Sequence, residues 1–147
     1  MALLAFGTVQ LGEAYGRHPH LPSEAEATAL LLEAARTGVA SVDTAFNYGA
    51  SEARVGVALG ALGSEPPRWE VVTKVDEVEL ESAAQLIAAV DASVALSQQR
   101  LGLEVLDCCC IHNYEMWMAH DSAAWKRLCY HRDVVRTHAT LLLAITP

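Results

Sequence analysis

Two periodicities alternate along the chain. Short runs rich in apolar and β-branched residues, the pattern of buried strands, fall at 3–6, 39–43, 69–75 and 105–112. Between them, apolar residues recur every three or four positions, as on a helix with one buried face. The first helical stretch opens at Pro22-Ser23-Glu24-Ala25-Glu26. There Ser23 can cap the helix and Glu26 can reply three residues on, as in a capping box. The helix runs through 27–36 with Leu30, Leu31 and Ala34 at helical spacing, and Gly38 is its stop. A second helix is predicted over 50–62, closed by Gly63 and the Pro66-Pro67 break. A third covers 81–101, apolar at Leu86, Val90, Val94 and Leu101, and ends at Gly102. A further helix is predicted at 122–129.

The order is therefore β-α-β-α-β-α-β, with strand starts roughly 30 to 35 residues apart. Such alternation implies parallel strands joined by right-handed helical crossovers. A doubly wound sheet and a (β/α)8 barrel both satisfy it. The dinucleotide-binding version of the doubly wound sheet wants Gly-x-Gly-x-x-Gly after its first strand. The turn here reads Gly7-Thr8-Val9-Gln10-Leu11-Gly12, which does not match. The barrel is preferred, and a whole barrel takes about 250 residues. With 147 residues, the expected fold is α/β: a partial (β/α)8 TIM barrel, its first half, of about four βα units.

Composition narrows the function. With 52% hydrophobic and 19% charged residues, the chain is too apolar to be mainly disordered. A net charge of −8 argues against nucleic acid as a partner, which needs a cationic face. No apolar run reaches the roughly 18 residues that span a bilayer, so no membrane partner is expected. The first residues lack the basic segment of a signal peptide. Three of the four cysteines are adjacent (Cys108, Cys109, Cys110), so they are poor disulfide partners. A reducing, cytoplasmic setting is the expectation. Charge is uneven. Residues 1–125 hold 17 acids and 6 bases, whereas 126–147 hold 1 acid and 4 bases: Lys126, Arg127, Arg132 and Arg136. Such a shift marks a boundary or a distinct tail.

Parallel α/β folds put their chemistry at the C-terminal ends of the strands. Those ends deliver Asp43, Lys74 and His112, each about one βα unit apart, with Tyr48 five residues beyond Asp43. A phenol is a weak acid at neutral pH, and an ammonium group beside it favours the phenolate. A carboxylate can hold that ammonium in place. An imidazole can orient a carbonyl oxygen. Together such groups could protonate a carbonyl oxygen as hydride reaches its carbon. Rival readings are weaker. Cys109-x-x-His112 and His18-Pro19-His20 lack a second ligand pair, so no metal site is expected. The cysteines read as small buried hydrophobes. His131-Arg132-Asp133 lacks every companion of a kinase catalytic loop. Trp117 and Trp125 fit a substrate pocket or packing equally well. Asp107 reads as support for the fourth strand.

The motifs carrying these residues resemble those of the aldo-keto reductases. They are Gly7-Thr8-Val9-Gln10-Leu11-Gly12 with Tyr15-Gly16, then Asp43-Thr44-Ala45-Phe46-Asn47-Tyr48-Gly49-Ala50-Ser51-Glu52 with Gly56. Val72-Thr73-Lys74 follows, then Ser97, Arg100-Leu101-Gly102, Leu106-Asp107 and His112. The resemblance spans about residues 3–128. It implies a (β/α)8 barrel that reduces an aldehyde or ketone to an alcohol, or runs in reverse, with NADP(H), or NAD in its place. It implies Tyr48 as general acid/base, Lys74 as the cation beside it, Asp43 as the anchor of that lysine, and His112 as the carbonyl orienter. Gly7, Thr8 and Asp43 would contact the cofactor. The implied partner is a small carbonyl or alcohol. The family's second-half cofactor motifs have no counterpart in these 147 residues. Residues 129–147 read as a divergent tail, from a frame or splice change. The alternative is an inactive half barrel acting as an interaction module or fragment, self-associating through its open edges.

Overall fold

A computed structural model describes residues 4–17, 20–63, 69–76 and 82–134. Four parallel strands form one sheet in sequential order: β1 (Leu4–Gly7), β2 (Val39–Asp43), β3 (Glu70–Lys74) and β4 (Cys108–Cys110). A four-residue turn, α1 (Val9–Gly12), follows β1 and leads to α2 (Glu24–Arg36). The other strands are followed by α3 (Ser51–Leu62), α4 (Ala83–Leu101) and α5 (Tyr114–Val134). This is the α/β half-barrel order the periodicity predicts. Leu3, His18-Pro19, Pro66-Pro67 and Glu81 lie outside the described residues, as does 135–147 of the expected tail.

Local chemistry explains most boundaries. At α2 the Ser23 side chain accepts from the Glu26 backbone, and Glu26 reaches back to the Ser23 N–H at 2.9 Å. At α4 the Ser82 hydroxyl accepts from the Gln85 N–H and donates to the Gln85 side-chain oxygen, a one-sided cap that starts the helix at Ala83, two residues later than expected. Gly102 closes α4 in the left-handed conformation, where a Cβ would be strained.

Three expectations change. β4 is three residues long, not eight. The Asp107 carboxylate takes the Val71 N–H at 3.0 Å, replacing a backbone partner at the start of the ladder. Asn113 accepts from Met116 N at 2.8 Å and opens α5 just after His112. Leu30, assigned to the buried stripe of α2, is half exposed, because the buried face runs through Ala27, Leu31, Ala34 and Ala35. α5 begins at Tyr114, earlier than the sequence suggests, and is broken at Ala119–Ser122. His120, Asp121 and Ser122 all have positive φ, an uncommon run for non-glycine residues.

The strand register sorts the side chains onto two faces. Phe6, Val42 and Val71 lie side by side, followed by Thr73 and Cys109, and this face meets the helices. Val42, Val55, Leu31, Leu86, Val90, Leu101 and Trp69 are fully buried between them, each contributing roughly 1.5–3 kcal/mol. The other face carries Gly7, Asp43, Val72 and Cys108 in one row, with Lys74 and Cys110 above.

The second half of α5 belongs to this packing. Ala124 and Leu128 are buried, and Arg127 grips Asp91 of α4 with two bonds at 2.6 and 2.7 Å. His131 adds a third contact to Asp91 at 2.7 Å. The basic excess is largely paired, since Lys126 meets Asp121 and Arg132 meets Asp133.

Two measurements check this packing. The Arg127 guanidinium, assisted by His131, holds the Asp91 carboxyl below its usual range against the cost of burial. A lowered folded-state pKa stabilises the fold above the unfolded carboxyl value and is lost as pH falls through the folded one. Asp91→Asn is therefore expected to cost on the order of 1 kcal/mol at neutral pH, since the pair is partly solvated. That cost should shrink in thermal melts as pH falls below the ordinary carboxyl value and disappear once Asp91 is protonated in the fold. The second concerns the thiols. Burial pushes Cys109 up to about 12, and Cys110 is raised by its hydrogen bond to Cys108 and by burial. A thiol reagent at pH 8 should label only the partly exposed Cys129 in the folded chain, and all four cysteines after denaturation, as read by mass spectrometry.

Candidate active site

Adjacent parallel strands in this register bring Asp43 and Lys74 to the same rim. Lys74 is 95% buried, and a buried ammonium needs partners. It donates to Asp43 Oδ1 at 2.8 Å and to the Thr44 carbonyl at 2.9 Å. The Asp43 side chain stays 42% exposed, so the pair opens to the rim through the carboxylate. Beyond β2 the chain turns back on itself, with Tyr48 N donating to Ala45 O at 3.1 Å. That turn sets the Tyr48 ring with its centroid 5.2 Å from Lys74 Nζ. His112, two residues past β4, meets Tyr48 edge-on, with ring centroids 5.7 Å apart and planes at 76°. All four residues named from the strand ends thus converge on one place.

A buried hydroxyl cluster supports the rim. Thr8 donates to the Asp43 carbonyl from both its N–H (3.0 Å) and its hydroxyl (2.9 Å). Ser51 Oγ donates to Thr8, 2.6 Å from its hydroxyl, and lies 3.0 Å from Thr44 Oγ1. The Thr8 side chain is therefore spent on bracing β1, β2 and α3. Gly7 differs. A Cβ there would meet nothing within 4 Å, so space beside Asp43 is open. Two further glycines let backbones touch. A Cβ on Gly12 would fall 1.7 Å from the Tyr48 carbonyl oxygen, and one on Gly49, at φ +52°, would fall 2.4 Å from Gly12 O. The Arg54 side chain also donates to the Leu11 carbonyl. The loop after β1 is thus pressed against the loop bearing Tyr48.

Sequence reasoning assigned no role to Glu52 or Arg100. Glu52 is fully buried on α3. It accepts from Thr73 Oγ1 at 2.7 Å and from Arg100 Nη1 at 3.1 Å. Arg100 Nη1 also donates to the Phe46 carbonyl at 3.0 Å, and its guanidinium stacks 4.5 Å over the Phe46 ring. The available signal was a carboxylate on the face of α3 that also carries Val55 and Ala58. Trp117 and Trp125 pack against the core. Among the described residues, no His, Cys, Asp and Glu group of three or more could hold a metal ion, and no helix is long and apolar enough to cross a membrane.

Comparisons with known proteins bear on the fold and the family. An aldo-keto reductase structure from Pseudomonas aeruginosa superposes with a TM-score of 0.73 at 25% identity, covering 98% of this chain and 55% of its own. One from Brucella melitensis gives 0.71 at 21% identity, covering 98% and 49%, and likewise shares the fold. One from Bacillus halodurans, in its holo form, gives 0.63 at 23%, covering 88% and 41%. The chain thus spans about half the length of the solved structures it matches. A search of curated proteins finds no match to the sequence. The model of the Aldo/keto reductase family matches residues 3–135, seven residues past the point where the motifs fade. With that match over most of its length, the chain belongs to the aldo/keto reductase family.

Proposed function

We propose that this chain carries the acid–base machinery of a carbonyl reductase that uses NADP(H), or NAD in its place. The observation that supports the reading most is the convergence of Asp43, Tyr48, Lys74 and His112 at one rim. When bound, the nicotinamide cofactor supplies the hydride. The chain's own residues manage the oxygen. Tyr48 gives its hydroxyl proton to the carbonyl oxygen, or takes it back in the reverse direction. Lys74, fixed by Asp43 and the Thr44 carbonyl, places a positive charge 5.2 Å from the centre of the Tyr48 ring. His112 orients the carbonyl oxygen toward Tyr48.

The cofactor reading rests on Gly7 and Asp43. They share a row on the sheet face away from the helices, and the space over Gly7 is open. That leaves room for a flat ring beside a carboxylate. Thr8 contributes by tying the end of β1 to the end of β2, since its own groups are engaged inside the protein. A small aldehyde, ketone or alcohol is the substrate class, and the cytoplasm is the compartment this chemistry fits.

Aldehyde-dependent oxidation of NADPH should be measurable at 340 nm and should fall about a hundredfold or more in Tyr48→Phe. NADPH affinity should stay within twofold of the parent. Undiminished turnover in Tyr48→Phe would contradict the assignment.

A second reading keeps the fold and drops the catalysis. The sheet ends in two edge strands, β1 and β4, and strands of parallel sheets are normally covered on both faces. A second copy of the chain would bring four more strands. Sedimentation across the micromolar range should then show a monomer–dimer equilibrium. A monomer throughout contradicts self-association.

A further inference from the structure

We infer that Glu52 and Arg100 are positioning residues that fix the placement of Tyr48 against Lys74 and His112. The inference rests on the reading of Tyr48 as the acid. The contacts form a closed circuit around the Tyr48 loop. Phe46 N donates to the Lys74 carbonyl at 3.0 Å, and Phe46 O accepts from Arg100 at 3.0 Å. Arg100 is paired with Glu52, Glu52 is held by Thr73, and Thr73 is covalently joined to Lys74. Phe46 lies two residues before Tyr48, and Glu52 lies four after it. Both sides of the loop that carries the phenol are thus referenced to the strand that carries the ammonium.

The energetics favour placement over stability as the role. A buried ion pair contributes little net stability, and apolar residues of similar volume often replace it at no loss. What such a pair supplies here is direction. The Arg100 Nη1 serves a carboxylate and a carbonyl at once, and the guanidinium plane stacks on the Phe46 ring. Neither residue lies among the four that converge at the rim. A displacement of the phenol by about 1 Å suffices to slow a positioned proton transfer by up to a hundredfold.

The double variant Glu52→Gln/Arg100→Met tests this, because it removes both charges and leaves none buried without a partner. Two readouts are taken. The first is the proton NOE between the Tyr48 and His112 rings, assigned with Tyr48→Phe and His112→Gln. The second is kcat with NADPH and with NADPH deuterated at the transferred position. The expected result is a folded protein with a weakened Tyr48–His112 NOE and kcat lowered about tenfold or more. NADPH affinity stays within twofold, and the isotope effect rises as chemistry becomes limiting. Arg100→Lys, which keeps the cation, should recover part of the loss. It is read by the same criteria if the double variant does not fold. An unchanged NOE and isotope effect, with only thermal stability lost, overturns the inference. If the parent reduces no carbonyl yet the NOE weakens in the variant, the positioning stands and the reductase reading falls.

Discussion

The need of one buried ammonium for partners organises the rim. Lys74 sits at the end of a central strand, away from water, and a charge there is tolerated only with acceptors in reach. One acceptor is Asp43, delivered by the neighbouring parallel strand in the register that puts both on the same face. The other is the carbonyl of Thr44, the first residue after that strand. Meeting both fixes where β2 ends and how the chain leaves it. The exit in turn sets Tyr48, because Thr44 and Phe46 both continue the ladder by donating to β3 carbonyls. A change of register by one residue would send Asp43 to the helix face and leave Lys74 unsatisfied.

Around that pair the structure separates two kinds of polar residue. Lys74 and Asp43 face the open side of the sheet, with Tyr48 and His112 gathered at its rim. Thr8, Thr44, Ser51, Thr73 and Glu52 are buried and spend their hydrogen bonds on one another, on backbone or, for Glu52, on Arg100 as well. The second group holds the loops that carry the first, so the rim is fixed by contacts made behind it.

The fold and the converging residues were legible because both follow from local rules. Strand and helix periods place the elements, and the parallel α/β rule sends function to strand ends, where Asp43, Lys74 and His112 stand. The supports were not legible, because they depend on contacts distant in sequence. Arg100 meets Glu52 and Phe46 across 48 and 54 residues. The contact of Gly12 with the Tyr48 carbonyl is seen only once two loops are placed back to back. Local errors had local causes. Leu30 fits helical spacing yet falls off the buried face of α2. The predicted eight-residue fourth strand stops short because Asp107 and Asn113 spend side chains on backbone groups at its two ends.

The most direct test concerns the ammonium itself. The chain has two lysines, Lys74 and Lys126, and the Lys126 side chain is 62% exposed. Nitrogen-15 NMR of the lysine ammonium groups should show one correlation protected from exchange with water, belonging to Lys74, that broadens when Asp43 is changed to Asn. Two ammonium groups exchanging at the same rapid rate would contradict a Lys74 buried against Asp43 and beside Tyr48.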